Sequence, residues 1–249
     1  MKDICLRVKD SDGKERPGIC VPIVAPEKER IFAEAERISL LPADMAEWRM
    51  DFFEGADRPE QIVPVLEGIK KRLGGKKLLA TCRTRKEGGQ YMGDSGAYFL
   101  LCRTAAGSGL VDLLDVEVFQ AEEHAPELTR FAHEHGCGVV ASSHDFEKTP
   151  PAEEMLRRLR RMEELGADAA KLAVMPSCVQ DVLDLLQITA DAVRELKIPV
   201  ITMSMGELGA VSRVSGKLTG SALTFASAGE ASAPGQIDVE KMAAILEAL

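Results

Sequence analysis

Lys171 has the setting that points most directly to chemistry. It lies in the apolar, strand-like run Ala-Asp-Ala-Ala-Lys-Leu-Ala-Val-Met-Pro at 167–176. Lysine is rarely buried without a partner. Removal from water favours the neutral amine, and a neutral amine attacks a carbonyl to form a Schiff base. A second signal, Ser142-Ser143-His144-Asp145, precedes it by about one strand–helix repeat. Together they suggest imine chemistry with a histidine as proton carrier. The unreactive alternative for Lys171 is a snorkelling side chain paired with a carboxylate at a strand end. Alternation puts Lys171, Ala169 and Ala173 on one side of a strand and Leu172 and Val174 on the other. The first set is small-sided, which leaves room for a ligand beside the amine.

His144 reads equally as a loop histidine. Ser143-His144-Asp145 is not a catalytic triad by itself, because adjacent strand residues point to opposite faces. His124, His133 and His135 lie in or near a polar helix and are expected to be solvated; four histidines without ligand spacing argue against a metal site. Thr81-Cys82-Arg83-Thr84-Arg85-Lys86-Glu87-Gly88-Gly89 joins a strand end to a glycine-rich turn. It is either a solvated charged loop or a site in which Arg83 meets a substrate oxygen and Glu87 meets the histidine. A carboxylate bonded to imidazole fixes its tautomer and favours its protonated form, whereas burial favours the neutral ring. Glu47-Trp48-Arg49-Met50-Asp51 alternates, so Glu47, Arg49 and Asp51 are expected on one strand face as an internally paired polar layer. The small, polar segment at 227–236 is either a plain connection or a lid whose Ser232 and Gln236 bond substrate hydroxyls. Gly216-Lys217-Leu218-Thr219 lacks a Ser or Thr directly after the lysine, and no Gly-x-Gly-x-x-Gly opens a helix, so nucleotide-phosphate loops are not indicated.

The elements that must position these residues follow from the hydrophobic pattern. Strands are predicted near 19–24, 45–52, 77–82, 110–118, 138–143, 169–174, 200–204 and 222–226. Helix-like segments lie between them, among them 27–41, 151–165, 178–196 and 238–249, the last with Asp238 as N-cap. Eight strand–helix units in 249 residues predict an α/β fold, a (β/α)₈ TIM barrel, as a single domain over 1–249. Residues 1–18 read as a polar N-terminal ribbon or cap. Active sites of such barrels lie at the C-terminal strand ends. There Glu47, Arg49, Asp51, Arg83, Glu87, His144, Lys171, Arg213, Ser232 and Gln236 would converge on one mouth.

Composition narrows the partners. With 40 acidic and 31 basic residues the net charge is −9, which argues against nucleic-acid or anionic-membrane binding. An anionic substrate must then be held by locally placed arginines. The six cysteines form no Cys-x-x-Cys pair, so a reducing cytoplasm is expected. The N-terminal stretch has no long apolar segment, and no apolar run is long enough to span a bilayer.

The set of motifs closely resembles the type I 3-dehydroquinate dehydratase family. The resemblance rests on Glu47-Trp48-Arg49-Met50-Asp51-Phe52-Phe53, Thr81-Cys82-Arg83 with Glu87-Gly88-Gly89, and Ser142-Ser143-His144-Asp145-Phe146. It continues through Ala170-Lys171-Leu172-Ala173, Met203-Ser204-Met205-Gly206, Ser212-Arg213 and Ser232-Ala233-Pro234-Gly235-Gln236. It implies a (β/α)₈ barrel, commonly a homodimer, with no metal or organic cofactor. It also implies syn dehydration of 3-dehydroquinate to 3-dehydroshikimate in the shikimate pathway, the route to aromatic amino acids. Position by position, it implies Lys171 as Schiff-base nucleophile, His144 as acid/base and Glu87 as the residue that orients His144. Arg213 would clamp the substrate carboxylate, and Glu47, Arg49, Arg83, Ser232 and Gln236 would bind substrate. Two other readings stay open from the residues alone: another Schiff-base barrel lyase or aldolase, and a non-catalytic metabolite-binding barrel.

Overall fold

The computed structural model describes residues 4–120, 123–229 and 232–249. The short strand β1 (Arg7–Lys9) and the longer β2 (Glu15–Ile23) come first in the sheet, followed by helix α1 (Lys28–Ser39) and β3 (Met45–Arg49). Then come α2 (Pro59–Arg72), β4 (Lys77–Thr81), α3 (Ser95–Gly107), β5 (Leu113–Glu117), α4 (Ala125–Glu134) and β6 (Gly138–Asp145). The chain continues with α5 (Ala152–Glu164), β7 (Ala169–Val174), α6 (Val179–Glu195), β8 (Val200–Ser204), α7 (Ala210–Val214) and α8 (Gly216–Thr219). It ends with β9 (Leu223–Ser227), β10 (Ile237–Asp238) and α9 (Val239–Ala248).

Strands β2 to β9 run parallel in the order β9-β2-β3-β4-β5-β6-β7-β8, with helices between them. The fold is a (β/α)₈ barrel. Its last gap, between β8 and β9, carries no ladder; the Ala222 N–H donates to the Val200 carbonyl at 2.8 Å and the Thr202 N–H to Ser221 Oγ at 3.2 Å. β10 lies parallel to β9 on the edge away from β2. β1 pairs antiparallel with β2, which fits the expected N-terminal ribbon; residues 1–3 of that reading lie outside the described residues.

Each element follows from its pattern. In α5, Met155, Leu159 and Met162 recur at helical spacing and are buried, while the remaining positions are rich in Glu and Arg. α9 starts at Asp238, whose carboxylate accepts from the Glu240 and Lys241 N–H groups. The strands alternate between two apolar layers. Leu172 and Val174 join the layer under the helices, and Ala169 and Ala173 join the barrel interior, so Lys171 points inward. The interior floor is apolar, built from Leu6, Cys20, Met45, Leu79, Leu113, Val140 and Ile201. One inward position further along, β3, β5 and β7 present Glu47, Asp115 and Lys171, and β4 and β6 present Thr81 and Ser142.

Two predicted boundaries differ in ways that matter to the site. The strand expected at 45–52 stops at Arg49, and Met50–Phe52 forms a 3₁₀ turn. Asp51 therefore leaves the strand face and folds back on Arg49. The strand expected to end at 143 runs on to Asp145, so His144 is a strand residue pinned by the β6–β7 ladder. Among the described residues, no helix is long and apolar enough to cross a membrane.

Candidate active site

Lys171 sits at the middle of β7, in register with Ser142 on β6 and Ile201 on β8. Its ammonium nitrogen lies 3.0 Å from Asp115 Oδ2, 3.7 Å from Glu47 Oε1 and 4.4 Å from the centroid of the Phe225 ring. Only 4% of the residue is exposed. The two expectations for this lysine are thus both met in part: it is buried beside a cavity, and it is paired with carboxylates. Burial pushes the Asp115 carboxyl up, but Arg83, Lys171 and the Ser142 hydroxyl outweigh burial and hold it below the usual carboxylate range.

His144 faces the same cavity. Its Nδ1 is 2.9 Å from Glu87 Oε2, and its backbone N–H donates to the same oxygen at 3.0 Å. This ties ring and backbone to one carboxylate and leaves Nε2 for the cavity. Glu87 reaches its position through a 3₁₀ turn, Arg85–Glu87, that ends at Gly88 with φ +79°. A Cβ at Gly88 would lie 2.3 Å from the Phe146 ring, so both the backbone sign and the space require glycine. Burial, then the charges of Arg83, Lys171 and Arg49, hold the imidazole well below its ordinary value of 6.5. The expected upward push from Glu87 loses to these forces. Burial, with Glu117 and Asp115, pushes the Glu87 carboxyl well above its usual range against the pull of Arg83. The ring is therefore a neutral imidazole at rest.

Three arginines line the cavity, in different states. Arg49 donates from Nε and Nη2 to the two Asp51 oxygens, both at 2.8 Å. Arg83 donates from Nη1 to Glu117 at 2.9 Å and Ser142 Oγ at 3.0 Å, and from Nη2 to Asp115 at 2.8 Å. Burial opposes its charge, but Asp115, Glu117 and Glu87 outweigh burial. Arg213 is different. It is 2% exposed and donates once, from Nη2 to the Pro234 carbonyl at 2.9 Å. Its Nε and Nη1 are buried without a partner among the described residues. Burial pulls its guanidinium down to about 10. A buried guanidinium with open donors calls for an anion to complete it.

The segment before β10 closes one side. The Ser232 N–H donates to Gln236 Oε1 at 2.9 Å and Gln236 Nε2 to Ser232 Oγ at 3.0 Å, while the Gly206 N–H donates to the Pro234 carbonyl. Glu230 and Ala231, part of the segment read as a lid, lie outside the described residues. Glu47, Arg49, Arg83, Glu87, His144, Lys171, Arg213, Ser232 and Gln236 all line one cavity. His133 Nε2 lies 2.6 Å from Asp168 Oδ2, away from this cavity.

Sequence reasoning passed over Asp115, Glu117 and Phe225, which surround Lys171 and Arg83. The signal was present. Leu113-Leu114-Asp115-Val116-Glu117 places two carboxylates at alternating positions of an apolar strand, as unusual as a lysine in one. Phe225 carried no signal, because an aromatic residue in an apolar strand is ordinary.

A parallel barrel whose mouth gathers a buried amine, an imidazole–carboxylate pair and an arginine with open donors belongs to the class of (β/α)₈-barrel enzymes. Comparison with known proteins narrows the class. The sequence model described as type I 3-dehydroquinase matches residues 19–249. The 3-dehydroquinate dehydratase of Syntrophotalea carbinolica is 48% identical over 239 residues, covering 95% of this chain and 94% of that one. That of Lactiplantibacillus plantarum is 45% identical over 237 residues, with the same coverage of 95% and 94%. Among solved structures, the type I enzyme of Clostridium difficile with covalent modified comenic acid superposes with a TM-score of 0.92 at 41% identity, covering 97% of each chain. The Geobacillus kaustophilus enzyme also gives 0.92, at 38% identity over 98% of this chain and 96% of that one. The chain belongs to the type I 3-dehydroquinase family, a family of hydro-lyases.

Proposed function

We propose that this protein dehydrates 3-dehydroquinate to 3-dehydroshikimate by syn elimination through an imine at Lys171. One observation carries the reading: a single cavity holds a buried primary amine, a neutral imidazole and a guanidinium with two open donors. The names of its relatives supply the substrate.

In this reading Arg213, whose Nε and Nη1 have no partner among the described residues, binds the substrate carboxylate by charge-assisted hydrogen bonds. Lys171 gives up a proton to His144, and its nitrogen attacks the C3 carbonyl carbon. A second proton moves from that nitrogen to the former carbonyl oxygen, giving a neutral carbinolamine. His144 returns the proton it gained to that hydroxyl, which leaves as water and gives a protonated imine. The positive imine draws electrons from the neighbouring C2–H bond, and His144 Nε2 removes that proton to give an enamine. The C1 hydroxyl then leaves as water with the proton His144 has gained, and the imine re-forms in conjugation with a new C=C bond. Water adds to the imine and releases product and the amine. One water taken up and two released leave the net loss of one. Glu87 orients His144 through Nδ1 so that Nε2 serves both steps. Glu47, Arg49, Arg83, Ser232 and Gln236 complete the substrate cage, Arg49 and Arg83 while held in place by their own carboxylates.

We also read residues 1–249 as one barrel domain that works as a cytoplasmic homodimer without a metal or organic cofactor, as the family resemblance implies; sedimentation gives the oligomeric state. The direct assay of function is ultraviolet detection of the conjugated enone from 3-dehydroquinate. Lys171→Ala is expected to abolish the signal, and a normal rate in that variant would contradict the covalent route.

A further inference from the structure

We infer that Asp115 and Phe225 form a fixed cation cradle under the Lys171 nitrogen, with Asp115 the standing counter-anion of the protonated imine and not the base that deprotonates the amine. The inference rests on the imine reading above. Its ground is geometric. Asp115 is fully buried and accepts from three donors: Lys171 at 3.0 Å on Oδ2, and Arg83 Nη2 at 2.8 Å and Ser142 Oγ at 2.6 Å on Oδ1. Phe225, on β9, presents its ring to the same nitrogen at 4.4 Å. The nitrogen thus has a carboxylate and an aromatic face, two groups that attract a cation.

In that route the nitrogen is positive twice after the covalent bond forms, as the first protonated imine and again as the conjugated imine. A neutral enamine comes between them. A fixed anion and a ring quadrupole act on both cationic forms without moving, which is the requirement for electrostatic preorganisation. A base would have to change charge. Asp115 is ill suited to that, because Arg83 and Ser142 donate to its other oxygen and favour the charged carboxylate. Glu47 is further from the nitrogen, at 3.7 Å, and its Oε1 already accepts from Thr81 Oγ1 at 2.9 Å. The proton shed by Lys171 therefore leaves toward the cavity, where His144 lies.

The titratable and charged groups around the nitrogen are Cys20 from β2, Glu47 from β3, Arg83 after β4, Asp115 from β5 and His144 from β6. β8 contributes Ile201, which carries no charge. Asp115 is the nearest carboxylate to the nitrogen, so its replacement should dominate any change in imine protonation.

Cyanoborohydride, which reduces protonated imines, reads this charge. The wild type, Asp115→Asn and Phe225→Leu are incubated with 3-dehydroquinate and cyanoborohydride across a pH series, and the adduct at Lys171 is quantified by mass. The cradle predicts that the alkaline limit of trapping falls by about one pH unit or more in D115N. Its kcat should fall about tenfold or more with KM little changed. F225L should move the limit the same way, by less. Two results overturn the proposal: an unchanged alkaline limit in D115N, or D115N trapping that is slow at low pH and recovers at high pH, the signature of a lost base. If D115N does not fold by circular dichroism, F225L decides, and an unchanged limit in that variant overturns the proposal. Absence of any wild-type adduct would remove the imine reading and the cradle with it, and is told apart because the wild type alone shows it.

Discussion

Arg213 holds a charge that its neighbours among the described residues do not complete. Its two open donors lie in a buried setting, and burial alone moves its pKa. Such a group costs stability until an anion arrives. Arg213→Met should therefore raise the melting temperature, by about 1 kcal/mol or more in stability, while raising KM for 3-dehydroquinate about 30-fold or more. A lower melting temperature in that variant would mean the charge is compensated. His144 makes a second prediction with a definite sign. Its folded pKa lies below the ordinary 6.5, so its neutral form contributes stability above that value. That contribution is lost as pH falls from 6.5 toward the folded pKa, where the unfolded chain binds the proton first. Melting temperature measured against pH should drop less on acidification below 6.5 in His144→Gln than in the wild type, where the raised Glu87 carboxyl acts in the opposite direction. The same shift puts the acid limb of kcat/KM below 6.5, and His144→Ala should slow turnover about 10²–10⁴-fold with trapped imine accumulating. Lys171, His144, Glu87 and Arg213 were legible because each is a charged or polar type out of place in an apolar run or at a strand end. The state of each was not. Whether Glu87 or burial governs His144 depends on Arg83, Lys171 and Arg49, which approach from other strands.

The loop between β9 and β10 is the element that couples Arg213 to the rest of the mouth. Pro234 accepts from both Gly206 and Arg213, and Gly235 follows with φ +77°. A Cβ on Gly235 would lie 2.2 Å from the Gly206 carbonyl oxygen. Gly235→Ala should push this loop off Gly206, shift Ser232, Gln236 and Arg213 together, and raise KM about tenfold or more. The barrel core lies elsewhere, so the far-ultraviolet spectrum should not change; an unchanged KM would show that the loop does not set substrate contacts. Strands were legible at this scale because alternation between the helix-side layer and the barrel interior leaves a period of two. Their ends were less so. The turn at Met50–Phe52 and the extension of β6 to Asp145 depend on contacts from neighbouring strands, as when Asp51 Oδ1 accepts the Arg83 N–H at 3.2 Å. β10 is two residues long with its partner in β9, too short to leave a period of its own.

At the scale of the molecule, stability and chemistry occupy opposite ends of one barrel. Leu6 packs into the floor beside Leu223, and the β1–β2 ribbon covers it there. Leu6→Ala should cost about 2–4 kcal/mol in denaturant unfolding and leave KM unchanged, whereas a changed KM would mean that the floor transmits to the mouth. The net charge of −9 opposes an anionic substrate at long range, and the arginines of the mouth answer it only locally. The barrel itself was legible from eight evenly spaced strand signals, while its open seam between β8 and β9 was not, since ladder closure depends on stagger and not on composition. What joins these scales is the claim that Lys171 forms a covalent imine with 3-dehydroquinate. Borohydride added during turnover, followed by peptide mass mapping, tests it directly. The account predicts loss of activity with a ligand-derived mass on the peptide carrying Lys171, and an unmodified Lys171 in enzyme that keeps turning over would contradict it.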